Sequence, residues 1–324
     1  MMLNIAIIGA TGMVGEKIRE VLDERFDKID HIYFLASARS AGNTINFKGK
    51  DYIIEELTPE VFEGKDIQYA LFAAGGSISE KFIPIANKAG ITVIDNSSHF
   101  RMFEDVPLIV PEVNEQDIKE DAKLIANPNC STIQSMLPLK VIHNLFGLKR
   151  VAYTTYQAVS GAGVGGVSDL VNKEVKQFSR PIYNNVLPQI DVFDEDGYTK
   201  EELKMIYETR KILNLPNLPV TATAVRVPVE NSHSISMNIE CERPIDLELL
   251  NKTLKASPGI KVIDLPDYPI AEDANGTDDV YVGRIRLDKS LENGLNLWCV
   301  ADNIRKGAAT NTVQILESMI KLRA

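Results

Sequence analysis

The sequence predicts an α/β protein, with a Rossmann-like nucleotide-binding domain joined to an α+β domain on a mixed sheet. Three observations carry this prediction. Over the first half, short apolar runs alternate with amphipathic stretches, the mark of a mostly parallel sheet with helices on both faces. A glycine-rich turn follows the first of those runs. Beyond Val151 the texture changes to longer runs rich in β-branched residues, with fewer helices between them.

In chain order, residues 3–8, 31–36, 69–74, 92–95 and 123–126 read as strands, with helices over 12–22 and 79–89. A helical run over 133–143 opens the second region. Strands follow over 151–159, 220–229, 234–240, 280–287 and 295–300, interleaved with helices over 167–177 and 200–213. Residues 306–321 are helical again and are expected to return to the first domain. No internal repeat or low-complexity tract interrupts the pattern.

At 324 residues the chain has room for two domains and a large core. A net charge of −10 argues against a nucleic-acid partner, because phosphate backbones are bound by clustered Lys and Arg. A small anionic substrate stays compatible with it, since a few local arginines can hold one. No apolar run approaches the ~20 residues of a spanning helix, and the start from Met1 runs straight into a strand without a basic region or cleavage site. Three cysteines, Cys130, Cys241 and Cys299, are too few and scattered for a disulfide framework or a zinc site. The expectation is a soluble cytoplasmic protein with reduced thiols and no membrane partner.

Gly9, Gly12 and Gly15 space the first turn as G-x-x-G-x-x-G, between a strand and a helix. Such a turn needs glycine for tight angles and for close approach of a pyrophosphate to the helix N-terminus. Gly9, Thr11, Gly12, Met13 and Val14 are therefore the candidate cofactor contacts here. NAD enzymes carry an acid at the end of the second strand, about 20 residues on, to bind the ribose hydroxyls. This chain has Ser37-Ala38-Arg39-Ser40 instead. A guanidinium flanked by hydroxyls suits a 2′-phosphate, so NADP is the expected cofactor.

Asn127-Pro128-Asn129-Cys130-Ser131-Thr132 follows a strand and opens a helix. A cysteine there meets the positive end of the helix dipole, which favours thiolate, and the backbone N–H groups of the same helix start can hold an oxyanion. On the residues alone, Cys130 reads equally as a nucleophile and as a buried small hydrophobe. Cys241 and Cys299 lie in strand patterns and read as core. Among the four histidines, His31 and His143 sit in regular elements and His99 has only Arg101 nearby. His233, at the start of a strand after the turn 230–232, is the best proton acceptor by a modest margin.

With these motifs in view, the chain resembles the bacterial-type aspartate-semialdehyde dehydrogenases. The resemblance runs from Ile5 to the C-terminal helix, through Asp95-Asn96-Ser97-Ser98-His99-Phe100-Arg101-Met102, Asn127 to Thr132, Tyr156-Gln157-Ala158-Val159-Ser160-Gly161-Ala162-Gly163, Arg226-Val227-Pro228-Val229 to His233, and Asp302 to Ala309. His99 departs from it, since the family more often has a small residue there; the pocket lining is expected to change and the chemistry is not. The resemblance implies an NADP-binding domain over 1–127 and 303–324, and a catalytic and dimerising domain over 128–302, in a homodimer or homotetramer.

It also implies the interconversion of aspartate 4-semialdehyde, inorganic phosphate and NADP with 4-aspartyl phosphate and NADPH, toward lysine, methionine, threonine and diaminopimelate. Carried over, Cys130 would form the thioester, His233 would move the proton, and Gln157 and Asn129 would help place the substrate. Arg226 would clamp the α-carboxylate and Glu201 the ammonium. Lys204 and Arg101 would take the phosphate, and Ser160, Gly161 and Asn303 would touch the nicotinamide end. Without the resemblance, Glu201 and Lys204 would read as a plain surface ion pair. The alternatives are N-acetyl-glutamyl-phosphate reductase, whose acylated substrate lacks an ammonium for Glu201, and a catalytically silent paralogue, against which Cys130, His233 and Gln157 speak.

Overall fold

A computed structural model describes residues 3–324; Met1 and Met2, part of the start read above, lie outside the described residues. The chain forms two compact units. One runs to Pro128 and resumes at Ala308, and the other is Asn129–Gly307.

The first unit carries strands β1 (Asn4–Ile8), β2 (His31–Ala36), β3 (Thr44–Phe47), β4 (Lys50–Ile53), β5 (Glu55–Glu56), β6 (Tyr69–Phe72), β7 (Thr92–Asp95) and β8 (Leu124–Ala126), with helices α1 (Met13–Arg25), α2 (Gly76–Lys88) and α3 (Pro111–Asn114). Six strands make one sheet in the order β5-β2-β1-β6-β7-β8, with every pair parallel. That is the strand order of a Rossmann sheet, with the direction of winding reversing between β1 and β6. Alternation along β1 divides the core in two. Ile5 and Ile7 pack with Ile18, Val21 and Leu22 of α1. Ala6 and Ile8 pack on the opposite face with Phe82, Ile83 and Ala86 of α2. The antiparallel hairpin of β3 and β4 was not foreseen; Phe47 and Tyr52 dock it on Phe34 of β2.

The second unit carries β9 (Leu148–Gln157), β10 (Val220–Arg226), β11 (His233–Cys241), β12 (Ile260–Ile263), β13 (Val280–Leu287) and β14 (Gly294–Ala301), with helices α4 (Cys130–Phe146), α5 (Gly163–Val171), α6 (Lys200–Ile212), α7 (Leu247–Ala256) and α8 (Ala271–Ala274). The sheet order is β10-β9-β11-β14-β13-β12, parallel at the two outer pairs and antiparallel between. Along β11, His233, Ile235, Met237, Ile239 and Cys241 are buried while Ser234, Ser236, Asn238 and Glu240 are half-exposed. Helix α4 lies against the buried face, on β9, β11 and β14. Pro138 has no N–H for the carbonyl of Gln134, one turn earlier. The Cys299 thiol donates to that carbonyl instead, at 3.4 Å.

The chain leaves this unit through a π-helical turn, Arg305–Thr310, and ends in α9 (Asn311–Leu322). This last helix packs within the first unit: Val313, Leu316 and Met319 join the core beside β1 and α1. The helix expected over 167–177 is a correction, because α5 spans Gly163–Val171. The Asp169 carboxylate accepts the N–H groups of Lys176, Gln177 and Phe178. Side-chain acceptors of this kind compete with the helical ladder and turn the chain aside.

The glycine turn is where the first unit tolerates least change. Gly9 has φ +80°, and a Cβ on Gly15 would lie 2.3 Å from the Gly9 carbonyl oxygen and 3.0 Å from Ala10 Cα. Both are backbone atoms that cannot swing away. Gly15→Ala is expected to lower unfolding stability by about 1–3 kcal/mol in urea titration; a change of only about 0.3 kcal/mol or less would show that the turn is slack.

Candidate active site

Helix α4 begins on Cys130, and Asn129 is its N-cap. The Asn129 Oδ1 accepts from the N–H groups of Ser131 at 2.9 Å and Thr132 at 3.2 Å. An asparagine at this position satisfies two of the donors that every helix start leaves open. It also changes one expectation: those two N–H groups are committed to Asn129, so an oxyanion at this helix start has to find its donors among side chains or at Cys130 itself.

The rest of the Asn129 amide is held from α6. Its Nδ2 donates to Glu201 Oε1 at 2.8 Å, and Gln157 Nε2 donates to the same oxygen at 3.2 Å. Glu201 Oε2 accepts from Lys204 Nζ at 3.2 Å. The surface ion pair that the spacing allows is therefore a buried cluster, with Glu201 only 6% exposed. Burial alone would raise its carboxyl, but Lys204, the Asn129 amide, Arg226 and Gln157 outweigh it and hold Glu201 at about 2. Lys204 also donates to Asp191 at 2.9 Å, and Asp191 is lowered against its burial by that contact.

Arg226 ends β10 and pairs with Gln157 at the end of β9. Its Nη1 donates to the Ala158 carbonyl at 2.7 Å, and its guanidinium lies over the Phe178 ring. It borders a cavity of about 720 Å³ also lined by Gln177, Arg180, Leu187 and Asp191. Burial lowers its pKa while Glu201 and the Cys130 sulfur act to raise it, so cation and sulfur are in Coulombic reach. Arg226 and His233 converge beside Gly161, with β9 lying between their strands.

His233 is fully buried at the start of β11. Its Nδ1 accepts the Ala158 N–H at 3.0 Å. A neutral imidazole accepting at Nδ1 carries its proton on Nε2, and Nε2 has no hydrogen-bond partner among the described residues. Burial first, then Arg226, push this imidazole down to about 3, against smaller opposing effects of Glu201 and the Ser232 carbonyl. In this arrangement, then, His233 is a neutral imidazole that offers its Nε2 proton as a donor. Gly161 makes the convergence possible: a Cβ there would sit 2.9 Å from Arg226 Nη1 and 3.3 Å from the His233 ring. The turn before His233 is tied by Asn303, whose Oδ1 accepts the Ser232 N–H at 2.9 Å and whose Nδ2 donates to Ser160 at 3.0 Å.

In the first unit, the glycine turn joins β1 to α1 at the point where the sheet's winding reverses, the place where such sheets bind nucleotides. The Gly9 N–H is fixed on the Leu35 carbonyl at 2.8 Å. Met13 and Val14 open α1. Beyond β2, Ser37 and Arg39 are exposed, and Ser40 Oγ lies 3.5 Å from Thr11 Oγ1. Arg101 is buried in this unit, donating through Nε to the Asn127 carbonyl and through Nη2 to that of Asn96. His99 packs its ring on Phe100 and Phe103.

Residues 4–121 match the semialdehyde dehydrogenase NAD binding domain, and residues 139–306 the semialdehyde dehydrogenase dimerisation domain. The aspartate-semialdehyde dehydrogenase of Aquifex aeolicus is 51% identical over 98% of each chain. The chain belongs to the aspartate-semialdehyde dehydrogenase family. Aspartate semialdehyde dehydrogenase II of Vibrio cholerae, crystallised with ASA, matches at a TM-score of 0.95 with 46% identity over 99% of each chain. The Candida albicans enzyme, crystallised with NADP, matches at 0.81 with 25% identity over 100% of this chain and 99% of that one. The family places the chain among oxidoreductases with a nucleotide-binding domain.

In this family member the second unit thus gathers Asn129, Cys130, Gln157, Glu201, Lys204, Arg226 and His233 into one connected cluster, with Ser160, Gly161 and Asn303 beside His233. The loop residues and Arg101 belong to the first unit. Sequence reasoning missed Asp191 and Glu208. The second stands seven residues beyond Glu201, on the same helical face, which periodicity could have flagged.

The buried imidazole has a measurable consequence. With a folded value of about 3 against 6.5, the unfolded chain binds a proton that the folded chain refuses throughout that window. Stability is therefore fullest above 6.5 and falls as pH drops toward 3, by about 1.4 kcal/mol per pH unit from this group. His233→Gln should lose this component in urea titrations across the window. Equal slopes in the variant and the parent would contradict a buried neutral histidine.

Proposed function

We propose that this chain catalyses the NADP-dependent, phosphorylating oxidation of aspartate 4-semialdehyde to 4-aspartyl phosphate, and its reverse, through a thioester on Cys130. The observation that carries the reading is a cysteine at the first position of a buried helix, in Coulombic reach of Arg226 and one residue from the Asn129–Glu201 contact. An amino-acid substrate presents an ammonium and a carboxylate on one carbon, and Glu201 and Arg226 supply the opposite charges.

In the oxidative direction the Cys130 sulfur adds to the aldehyde carbon, and departure of a hydride leaves a thioester. A phosphate oxygen then attacks that carbon and the sulfur departs as thiolate. His233 donates from Nε2 to the carbonyl oxygen as it becomes negative, and handles the proton that oxygen or sulfur exchanges. Gln157 and Asn129 orient the substrate beside Glu201, while Lys204 and Arg101 receive the phosphate.

The first unit fits a dinucleotide. Its turn leaves no room for a Cβ at Gly9 or Gly15, the tight turn and close helix packing of a dinucleotide-binding loop. Gly9, Thr11, Gly12, Met13 and Val14 would hold that part. Ser37, Arg39 and Ser40, with no acid at the end of β2, favour a 2′-phosphate and hence NADP. The NADP complex of the Candida albicans relative supports the same choice. Ser160, Gly161 and Asn303 would face the nicotinamide, which when bound accepts or returns the hydride.

The reaction belongs to aspartate-family biosynthesis, toward lysine, threonine, methionine and diaminopimelate, in a cytoplasm whose reducing conditions keep a thiol free. A homodimer or homotetramer is supported by the match to a dimerisation domain. The half-exposed sheet face, where the Tyr156 and Trp298 rings lie 5.4 Å apart, offers it a surface.

The deciding assay is NADP reduction with aspartate semialdehyde, with and without phosphate. Turnover should require all three, and Cys130→Ala should abolish it while NADP binding persists. A variant keeping more than about one percent of kcat, a loss of under ~2.7 kcal/mol, would rule out the thioester route. For the cofactor, Arg39→Asp should raise KM for NADP far more than for NAD, because it adds repulsion against the 2′-phosphate. Parallel rises in both would show that Arg39 does not read that group.

A further inference from the structure

Among the buried carboxylates that the roles above leave unused is Glu208. Glu208 lies on α6, 1% exposed, and its Oε2 accepts the backbone N–H of Asn129 at 2.6 Å. Helix α6 shows what such a contact does at its own start. There Thr199 accepts from the Glu202 N–H, and Glu202 Oε2 accepts the Thr199 N–H at 2.6 Å, a capping box closed within one turn. In α4 the residue at the position of Glu202 is Thr132, fully buried, whose side chain cannot reach back as a glutamate's does. The carboxylate arrives from α6 instead, and the box is closed between two helices.

Glu208 and Glu201 are seven residues apart, two helical turns, and so project from one face. One takes the main-chain N–H of Asn129 and the other its side-chain Nδ2. With Oδ1 bound to Ser131 and Thr132, Asn129 cannot rotate, and α6 cannot slide along α4, without breaking several buried contacts. Cys130 is the next residue, while Glu201 and Lys204 ride on the gripping helix.

We propose that Glu208 is a positioning residue that completes the N-cap of the α4 helix from α6 and thereby sets the spacing between Cys130 and the substrate-facing side of α6. This rests on the reading of Cys130 as the nucleophile. Misplacing a nucleophile by about 1 Å can cost on the order of a hundredfold in rate, so the contact acts on the chemical step and leaves cofactor binding alone.

The test compares Glu208→Ala, Glu208→Gln and Cys130→Ala in the full-length enzyme, by steady-state kinetics, thermal unfolding and hydrogen exchange of the Asn129 amide. Glu208→Ala should lower kcat on the order of a hundredfold, keep KM for NADP and phosphate close to the parent values, and expose the Asn129 amide. Glu208→Gln retains an acceptor oxygen and should restore both amide protection and most of kcat. Where Glu208→Ala does not fold, Glu208→Asp replaces it, with an intermediate loss of kcat and partial exposure expected. Unchanged kcat per folded enzyme, with only a lower Tm, would overturn the proposal. So would a Glu208→Gln variant that protects the amide yet is as slow as alanine. The two readings fail separately: turnover in Cys130→Ala removes the nucleophile, whereas a dead Cys130→Ala beside a fully active Glu208→Ala removes only the role of Glu208.

Discussion

An ionised carboxylate taken out of water costs several kcal/mol unless its oxygens are supplied with donors and opposite charge. Glu201 meets that demand through Asn129, Gln157 and Lys204, with Arg226 close enough to act through space. Each partner comes from a different element: the cap of α4, the end of β9, the next turn of α6 and the end of β10. Satisfying one buried charge therefore fixes the mutual placement of four elements. Networks of this kind specify a single arrangement because partial satisfaction is worse than none. The position of Cys130 follows from it, since Asn129 cannot serve both Glu201 and the helix start in any other orientation.

The first unit is organised by a different constraint, which is distance between backbones. Where the sheet's winding reverses, the turn after β1 passes so close to Ala73 and to the start of α1 that a side chain at Gly9 would collide with Ala73, and one at Gly15 with the Gly9 carbonyl. Apolar packing then closes the layer from the far end of the chain, with Val313, Leu316 and Met319 of α9 set beside α1. The Arg25–Glu317 pair across the same helices is half-exposed and contributes little, about 0–1 kcal/mol. Holding the return helix is the work of the apolar stripe.

What was legible in the sequence was mostly local. Period-2 and period-3.6 patterns placed the strands and helices because burial on one face writes itself into neighbouring residues. The glycine spacing and the residues beyond β2 were legible because they sit within a few positions of one another. The misplaced helix over 167–177 failed where a side chain, Asp169, took backbone donors from residues seven to nine positions on. The strand order of the second sheet was not legible, since β9 separates β10 from β11 in space though they adjoin in sequence. Nor was the state of His233: its tautomer depends on the Ala158 N–H, 75 residues away. Spacing suggested that Glu201 and Lys204 share a face, but not that the face is buried.

The three cysteines show how far place outweighs residue type. Cys241 and Cys299 alternate into the sheet's buried face, where burial pushes their thiols up to about 11 and about 12. At those values they stay protonated at neutral pH, and the Cys299 S–H serves as a donor to the carbonyl that Pro138 leaves open. Cys130 instead heads a helix whose next two N–H groups are held by Asn129, within Coulombic reach of the buried Arg226. Glycine at 307 adds to the contrast, because a Cβ there would come within 2.9 Å of Cys130 Cβ. A residue without a side chain thus packs against this one cysteine, and Cys130 is half-buried where the other two are buried. A positive neighbour and an opening favour thiolate over thiol, and a cysteine given neither packs as a small buried hydrophobe.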